Sequence, residues 1–249
     1  MKSPFVAHRG EPVSWPENSL AGYQAVLEAG ADYIETDIQI TADGVAVLNH
    51  DPTTLKITGV DLQITATDFA DLHKLSAGYA DRFGERFSDF RITRLNELVT
   101  LLKDWPQVQV FVELKQATLT ACGIDKVVDE VMAVIQPILP QCILISFNHD
   151  VLGYIRKHHT VPIGWVLHEW SETSQGMASS LAPDYLFCNY KHLPATPAPL
   201  WDGPWYWAVY TINDARDVPA LINRGIDLVE TDVVRQLLAD KTLQEYFVD

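Results

Sequence analysis

Cysteine is scarce in this chain: only Cys122, Cys142 and Cys188, widely spaced and odd in number. That pattern argues against a disulfide framework or a thiolate zinc site. It fits a reduced, cytoplasmic setting in which the three act as plain core residues. Long apolar runs are also missing. Nothing approaches the ~18 consecutive apolar residues of a membrane span, and Met1-Lys2-Ser3-Pro4-Phe5 enters a strand with no room for a signal peptide. Basic residues are few, 18 against 33 acidic, for a formal net charge of −15. Such a surface repels nucleic acid and anionic lipid, so the expected partner is a small molecule, with no nucleic acid and no stable membrane association. A small anionic substrate held by local cations remains allowed, and the chain is compatible with a homo-oligomer. No Gly-x-Gly-x-x-Gly follows the first strand, which argues against a nucleotide-binding fold.

What is present is an alternation of strands and helices over 249 residues, 47% of them hydrophobic. Phe5-Val6-Ala7 reads as a short buried strand. Pro16-Glu17-Asn18-Ser19 opens a helix to about Gly30, with Asn18 or Ser19 as cap and Gly30 as stop. A hairpin over Tyr33 to His50 follows. Residues 51 to about 93 lack a long apolar period and far exceed the ~2–6 residues of an ordinary β-to-α loop, so they predict a small inserted subdomain or lid. Helices are expected at Arg94–Asp104, over Ile124 to Ile135, up to about His159, at Asp214–Asn223 and at Val233–Tyr246. Strands are expected at Val108–Leu114, Cys142–Phe147, Val161–Val166, Tyr185–Asn189, Trp205–Thr211 and Leu228–Thr231, with a Pro-rich connector at Pro194–Pro204. Counting the hairpin's first strand once gives eight strand-to-helix units. The expectation is a single α/β domain over 1–249, a closed (β/α)₈ TIM barrel, rather than an open doubly wound sheet. Leu27–Asp37 and Ile222–Asp232 match at five positions, which reads as reuse of one helix-to-strand turn.

The hairpin carries the first chemical signal. Asp43-Gly44 is a dipeptide favoured by a two-residue type I′ turn, which pairs Ala42 with Val45 and Asp37 with His50. Alternation then puts Glu35, Asp37 and His50 on one side. This reads either as a cation site or as two solvated acids and a capping histidine on a surface hairpin.

Active sites of such barrels lie at the C-terminal strand ends. Those ends offer His8 and Arg9, Glu35 and Asp37, His50, and Glu113 and Lys115, the last two flanking Leu114 and facing one way. Carboxylates without thiolates suit one hard divalent cation, Mg²⁺, Ca²⁺ or Mn²⁺. Arg9 and Lys115 suit a phosphate, and the two imidazoles suit proton transfer near neutral pH.

His8-Arg9-Gly10, Pro16-Glu17-Asn18-Ser19, Glu35-x-Asp37, His50-Asp51 and Glu113-Leu114-Lys115, in that order, closely resemble the signature of the glycerophosphodiester phosphodiesterases, in their cytosolic form. Ser146-Phe147, Tyr210-Thr211-Ile212-Asn213, Gly225-x-Asp227 and Thr231-Asp232 extend the resemblance over nearly the whole chain. It implies metal-dependent hydrolysis of glycerophosphodiesters to sn-glycerol 3-phosphate and an alcohol, through a cyclic phosphate. Glu35, Asp37 and Glu113 match the family's metal ligands, His8 and His50 its general acid and base, and Arg9 and Lys115 its phosphate contacts. Two departures stand out. Pro52-Thr53-Thr54 replaces the family's frequent Asp-Arg-Thr-Thr, and Glu230 stands where the family is usually apolar, facing either the site or a salt bridge.

The competing expectations are a lysophospholipase D-like enzyme and a non-catalytic phosphoester-binding barrel. The first needs an apolar entry surface, for which Tyr79, Phe83, Phe87 and Phe90 are available; the second is expected to lose a metal carboxylate or a histidine. Glu17 and Asn18 read as loop-organising residues, and His149, His158, His159 and His168 as solvated or capping. Trp165, Trp205, Trp207 and Tyr210 read either as core or as a wall for a glycerol or choline-like group.

Overall fold

The computed structural model describes residues 2–248. Nine strands form one sheet: β1 (Phe5–Ala7), β2 (Tyr33–Ile40), β3 (Ala46–Leu48), β4 (Gln109–Leu114), β5 (Cys142–Ser146), β6 (Ile163–Val166), β7 (Tyr185–Asn189), β8 (Tyr206–Tyr210) and β9 (Leu228–Thr231). All neighbours pair in parallel except β2 with β3, and β1 pairs with both β2 and β9, so the sheet closes on itself. This is the TIM barrel that the alternation predicts. Every parallel step needs a crossover, and helices such as α1 (Leu20–Glu28), Leu95–Leu102, Ile124–Ile135 and His149–His158 supply them.

Two apolar layers follow from the period of two along each strand. One set of side chains, including Val6, Phe111, Ile143, Ile145, Val166, Phe187, Ala208 and Leu228, fills the barrel. The alternate set packs under the helices, with Val127, Val128, Val131 and Ile135 forming the buried stripe of one of them. Trp165 and Trp207 belong to this outer layer, and Trp205 joins it just before β8, so these three indoles pack as core; only Tyr210 of that aromatic group faces the barrel mouth.

Two expectations need correction. The hairpin pairs Ile38 with Leu48 and Ile40 with Ala46, one residue off the anticipated register, so Asp37 lies opposite Asn49. The reason is a longer loop: Thr41 N donates to Val45 O (3.0 Å) and Gly44 N to Thr41 O (3.0 Å), leaving Ala42, Asp43 and Gly44 in the turn. Gly44 takes the left-handed φ of +85° that such a three-residue turn requires. The final helix is interrupted: Val234–Ala239 and Lys241–Val248 are separate, because Asp240 is extended and caps the second through Leu243 N.

Residues 51–93 hold only short helical turns, gathered on Val47, Ile57, Ile64, Leu72, Ala77 and Ile92. Their aromatic rings turn inward: Phe87 is buried and packs against Trp15, Phe83 and Phe90 in tilted and edge-on pairs, while Tyr79, Phe83 and Phe90 are half-buried. These rings form no exposed apolar entrance. Among the described residues no helix is long and apolar enough to cross a membrane.

Candidate active site

The turn after β1 is built for close approach. Gly10 takes φ +71°, and a Cβ there would lie 2.9 Å from Tyr23 N in α1, so the turn needs glycine to sit against the helix. Arg9 itself is left-handed at φ +49°, a conformation costing roughly 1–3 kcal/mol. It is held by Asn18 N donating to Arg9 O (2.9 Å) and by its own N–H donating to Glu35 Oε2 (3.3 Å). Ser19 caps α1, its hydroxyl accepting from Gly22 N.

At the C-terminal mouth, Glu35 and Asp37 of β2 and Glu113 of β4 all point inward. Asp37 and Glu113 are register partners on adjacent strands, and one oxygen from each of the three acids lies within 4.8 Å of the others. All three are buried. Arg9 Nε approaches Asp37 Oδ2 to 2.9 Å, Lys115 Nζ approaches Asp37 Oδ1 to 3.1 Å, and Lys115 also donates to Glu113 Oε1 (2.8 Å). Burial pushes the Asp37 carboxyl up, but Arg9 and Lys115 outweigh it and hold the group well below the usual carboxylate range. Burial pushes Glu35 well above its ordinary value, with Asp37 and Glu230 adding repulsion. Glu113 is raised by burial too, against the pull of Lys115. Glu35 Oε1 is buried with no hydrogen-bond partner. An oxygen-only trio with an orphaned acceptor fits a hard divalent cation, which would satisfy the orphan and relieve the repulsion.

The two histidines reach this centre differently. His8 follows directly from β1, its Nδ1 2.6 Å from Asp232 Oδ1. Its free Nε2 lies 4.0 Å from Glu35 and 3.7 Å from Glu230. His50 arrives after β3 has ended, where the chain bends, so the one-residue register difference does not carry it away. Its Nδ1 pairs with Asp51 (2.7 Å), and burial lowers its pKa while Asp37 opposes the shift.

His8, Arg9, Glu35, His50, Glu113 and Lys115 line one cavity of about 110 Å³, with Asp37 beneath it on Arg9 and Lys115. Phe147, Tyr210 and Glu230 complete the wall. An adjoining groove of about 440 Å³ shares His50, Glu113, Lys115 and Phe147 and continues past Pro52, Ala117 and His168. A larger cleft of about 760 Å³ opens at the other end of the barrel among Lys2, Tyr33, Tyr185 and Tyr206. It gathers no cluster of acids, cations and imidazoles, so the chemistry rather than the volume marks the site.

Several supporting residues were less visible in the sequence. Asn18 Nδ2 donates to Asp37 Oδ2 (2.9 Å), while its Oδ1 accepts from the hydroxyls of Tyr23 (2.7 Å) and Thr36 (3.1 Å). Glu17 receives Lys56 (2.6 Å), lies 3.7 Å from Arg9, and thereby ties the segment after the hairpin to the turn after β1. Asp232 had appeared only as part of a motif, and Tyr23 carried no signal at all. Glu230 turns inward: it is 5% exposed, and burial pushes its carboxyl up to about 7.

Known proteins resemble this chain along nearly its whole length. A glycerophosphodiester phosphodiesterase of Caldanaerobacter subterraneus is 28% identical over 239 residues, covering 93% of this chain and 95% of its own. Among solved structures, an Oleispira antarctica phosphodiesterase in complex with the product sn-glycerol-3-phosphate superposes with a TM-score of 0.82 at 22% identity, covering 100% of this chain and 98% of that one. A glycerophosphodiester phosphodiesterase from Parabacteroides distasonis gives 0.75 at 23%, covering 99% and 100%. At those identities the structures speak for the fold. The model of the glycerophosphoryl diester phosphodiesterase family matches residues 8–236, from the first histidine to the helix after β9, and the chain belongs to that family.

Proposed function

We propose that this chain hydrolyses glycerophosphodiesters to sn-glycerol 3-phosphate and an alcohol with the aid of one divalent cation. A single observation carries the reading: Glu35, Asp37 and Glu113 converge within 4.8 Å in the mouth that also holds Arg9, Lys115 and both imidazoles. Glu35, Asp37 and Glu113 would hold the cation, Mg²⁺, Ca²⁺ or Mn²⁺, whose Lewis-acid charge suits the phosphate oxygens and the 2-hydroxyl of the substrate.

The protein's own groups supply the rest. Arg9 and Lys115, fixed by Asp37 and Glu113, bind the phosphate and offset its charge. One imidazole takes the proton of the 2-hydroxyl as its oxygen attacks phosphorus. The other protonates the departing alcohol, giving a cyclic phosphate that water opens with the two roles reversed. Asp232 and Asp51 orient His8 and His50 through Nδ1 and leave each Nε2 for the transfer. The cavity of about 110 Å³ suits the glycerol phosphate, and the adjoining groove provides room for the departing alcohol. Residues 51–93 form an inserted subdomain of one catalytic domain, anchored to the site through Lys56 and Glu17.

Purified protein should release sn-glycerol 3-phosphate from glycerophosphocholine or glycerophosphoethanolamine. His8→Ala and His50→Ala should each lower kcat roughly 10²–10⁴-fold with the fold intact. Variants within a few-fold of the parent would overturn the histidine assignment, and binding without turnover would favour a phosphoester-binding barrel.

A further inference from the structure

We propose that Glu230 holds the terminal hydroxyl of the substrate's glycerol, and so sets the preference for glycerol over a deoxygenated alcohol at that end of the site. The assignment rests on the phosphodiesterase reading above and adds a residue to it. Glu230 sits on β9, 5% exposed, and lines the cavity together with His8 and Tyr210. Its side-chain oxygens accept no hydrogen bond from any described residue; the nearest basic side-chain nitrogen, His8 Nε2, is 3.7 Å away, beyond hydrogen-bond reach. The Glu230 carboxyl is buried and opens on the cavity without a partner from the chain, and a polar group in this state takes a water, an ion or a ligand as its partner.

The order of strands around the barrel says which donor. β1 lies between β9 and β2, so His8 separates Glu230 from Glu35, Asp37 and Glu113. With the phosphate on Arg9 and Lys115 and the 2-hydroxyl consumed in ring closure, the group left to extend past His8 is the terminal hydroxyl. There it meets Glu230, an acceptor, beside Tyr210 on β8. In the matched segments Leu27–Asp37 and Ile222–Asp232, Glu230 stands where Glu35 stands, and among the described residues neither side chain has an ammonium or guanidinium within 4.0 Å.

The test compares glycerophosphocholine with its analogue built on 1,2-propanediol, which keeps the 2-hydroxyl and the choline but lacks the terminal hydroxyl. The parent protein should prefer the glycerol compound in kcat/KM by roughly 10- to 10²-fold, the worth of one hydrogen bond to a charged group. Glu230→Leu should lose that much on glycerophosphocholine and stay within a few-fold on the analogue. In calorimetry with Mg²⁺ present, the parent should bind sn-glycerol 3-phosphate more tightly than the matching propanediol phosphate, and Glu230→Leu should bind the two alike. Glu230→Gln, which retains an acceptor, should recover part of the discrimination. An equal fall on both substrates, or a shift in the Mg²⁺ concentration needed for half-activation, would overturn the assignment and make Glu230 a partner of His8 or of the cation. If the parent turns over neither compound, the phosphodiesterase reading fails first and takes this one with it.

Discussion

Leu27–Asp37 and Ile222–Asp232 carry nearly the same instructions and end in different chemistry. Both leave a helix through a left-handed glycine, Gly30 at φ +92° and Gly225 at +98°. Each closes the turn alike, Ala31 N to Val26 O and Ile226 N to Leu221 O, both at 3.1 Å. In each, an aspartate then accepts from the backbone of a neighbouring strand region: Asp32 from Ser3 N and Asp227 from Trp207 N, both at 2.7 Å. The parallel runs into the site. Asn18 Oδ1 accepts from the Thr36 hydroxyl and Asp37 N while its Nδ2 donates to Asp37; Asn213 does the same for Thr231 and Asp232. The difference is what waits opposite. Asp37 meets Arg9 and Lys115 and is fully buried, whereas Asp232 meets His8 and keeps a quarter of its side chain exposed. One backbone device thus places two acid pairs, and the neighbouring strands decide that one gathers cations while the other orients an imidazole.

Breaking the two acids separately should show this. Asp37→Ala leaves Arg9 and Lys115 buried without their shared partner, and should lower kcat/KM by at least about 10³-fold, since buried charges lose their counter-ion and both cationic side chains lose their anchor. Asp232→Asn removes only the orienting carboxylate; a fall of roughly 10- to 10²-fold with an altered pH–rate profile is expected. Equal losses in steady-state kinetics would mean that the two acids do one job.

Glu230, two residues before Asp232, sharpens the comparison through stability. Glu230 has its pKa raised from 4.5 to about 7, so the folded state holds this proton more tightly than the unfolded state does. Its contribution is fully present below pH 4.5 and is lost as pH rises through 7. Without divalent cation, Glu230→Gln should therefore be more stable than the parent at pH 8, by about 3 kcal/mol at most, and the gap should close towards pH 4.5. Urea melts at the two pH values check this; a gap that widens on acidification would contradict it.

The smaller effects concern the shared scaffold. Asn18→Ala strands the buried Thr36 hydroxyl, takes one of two partners from Tyr23 and removes a donor from Asp37, and should cost roughly 1–3 kcal/mol, more than Asn213→Ala at its more exposed site. Gly30→Ala and Gly225→Ala should each cost about 1 kcal/mol, and about equally, because both positions need the left-handed conformation.

Much of the barrel was legible because its signals are local. Tyr185–Asn189 and Leu228–Thr231 are strands with the expected bounds, and the stripe from Ile124 to Ile135 is a helix, since β-branched runs and a 3.6-residue period act within a few residues. The hairpin register is not legible locally, because Asp43-Gly44 favours a two-residue turn on its own, while Asp43 accepts from the distant Phe69 N (2.9 Å). Asp240 breaks the last helix by capping, an event that an unbroken apolar period conceals. At the site, the charged residues at strand ends were readable because strand ends meet in a closed barrel. Asn18, Tyr23 and Asp232 were not, since their roles depend on which group faces them across 5 to 224 positions of chain separation. The sequence leaves Glu230 between the site and a salt bridge for the same reason: only the closed barrel turns it inward and shows His8 beside it.

The central claim is that Glu35, Asp37 and Glu113 form a cation site without which the phosphate ester is not cleaved. The most direct measurement is release of sn-glycerol 3-phosphate from glycerophosphocholine by protein stripped with EDTA, before and after Mg²⁺, Ca²⁺ or Mn²⁺ is returned. The expected result is no release from the stripped protein and recovery on adding at least one of the three ions, with Glu113→Ala not recovering. Turnover that EDTA leaves unchanged would contradict the account.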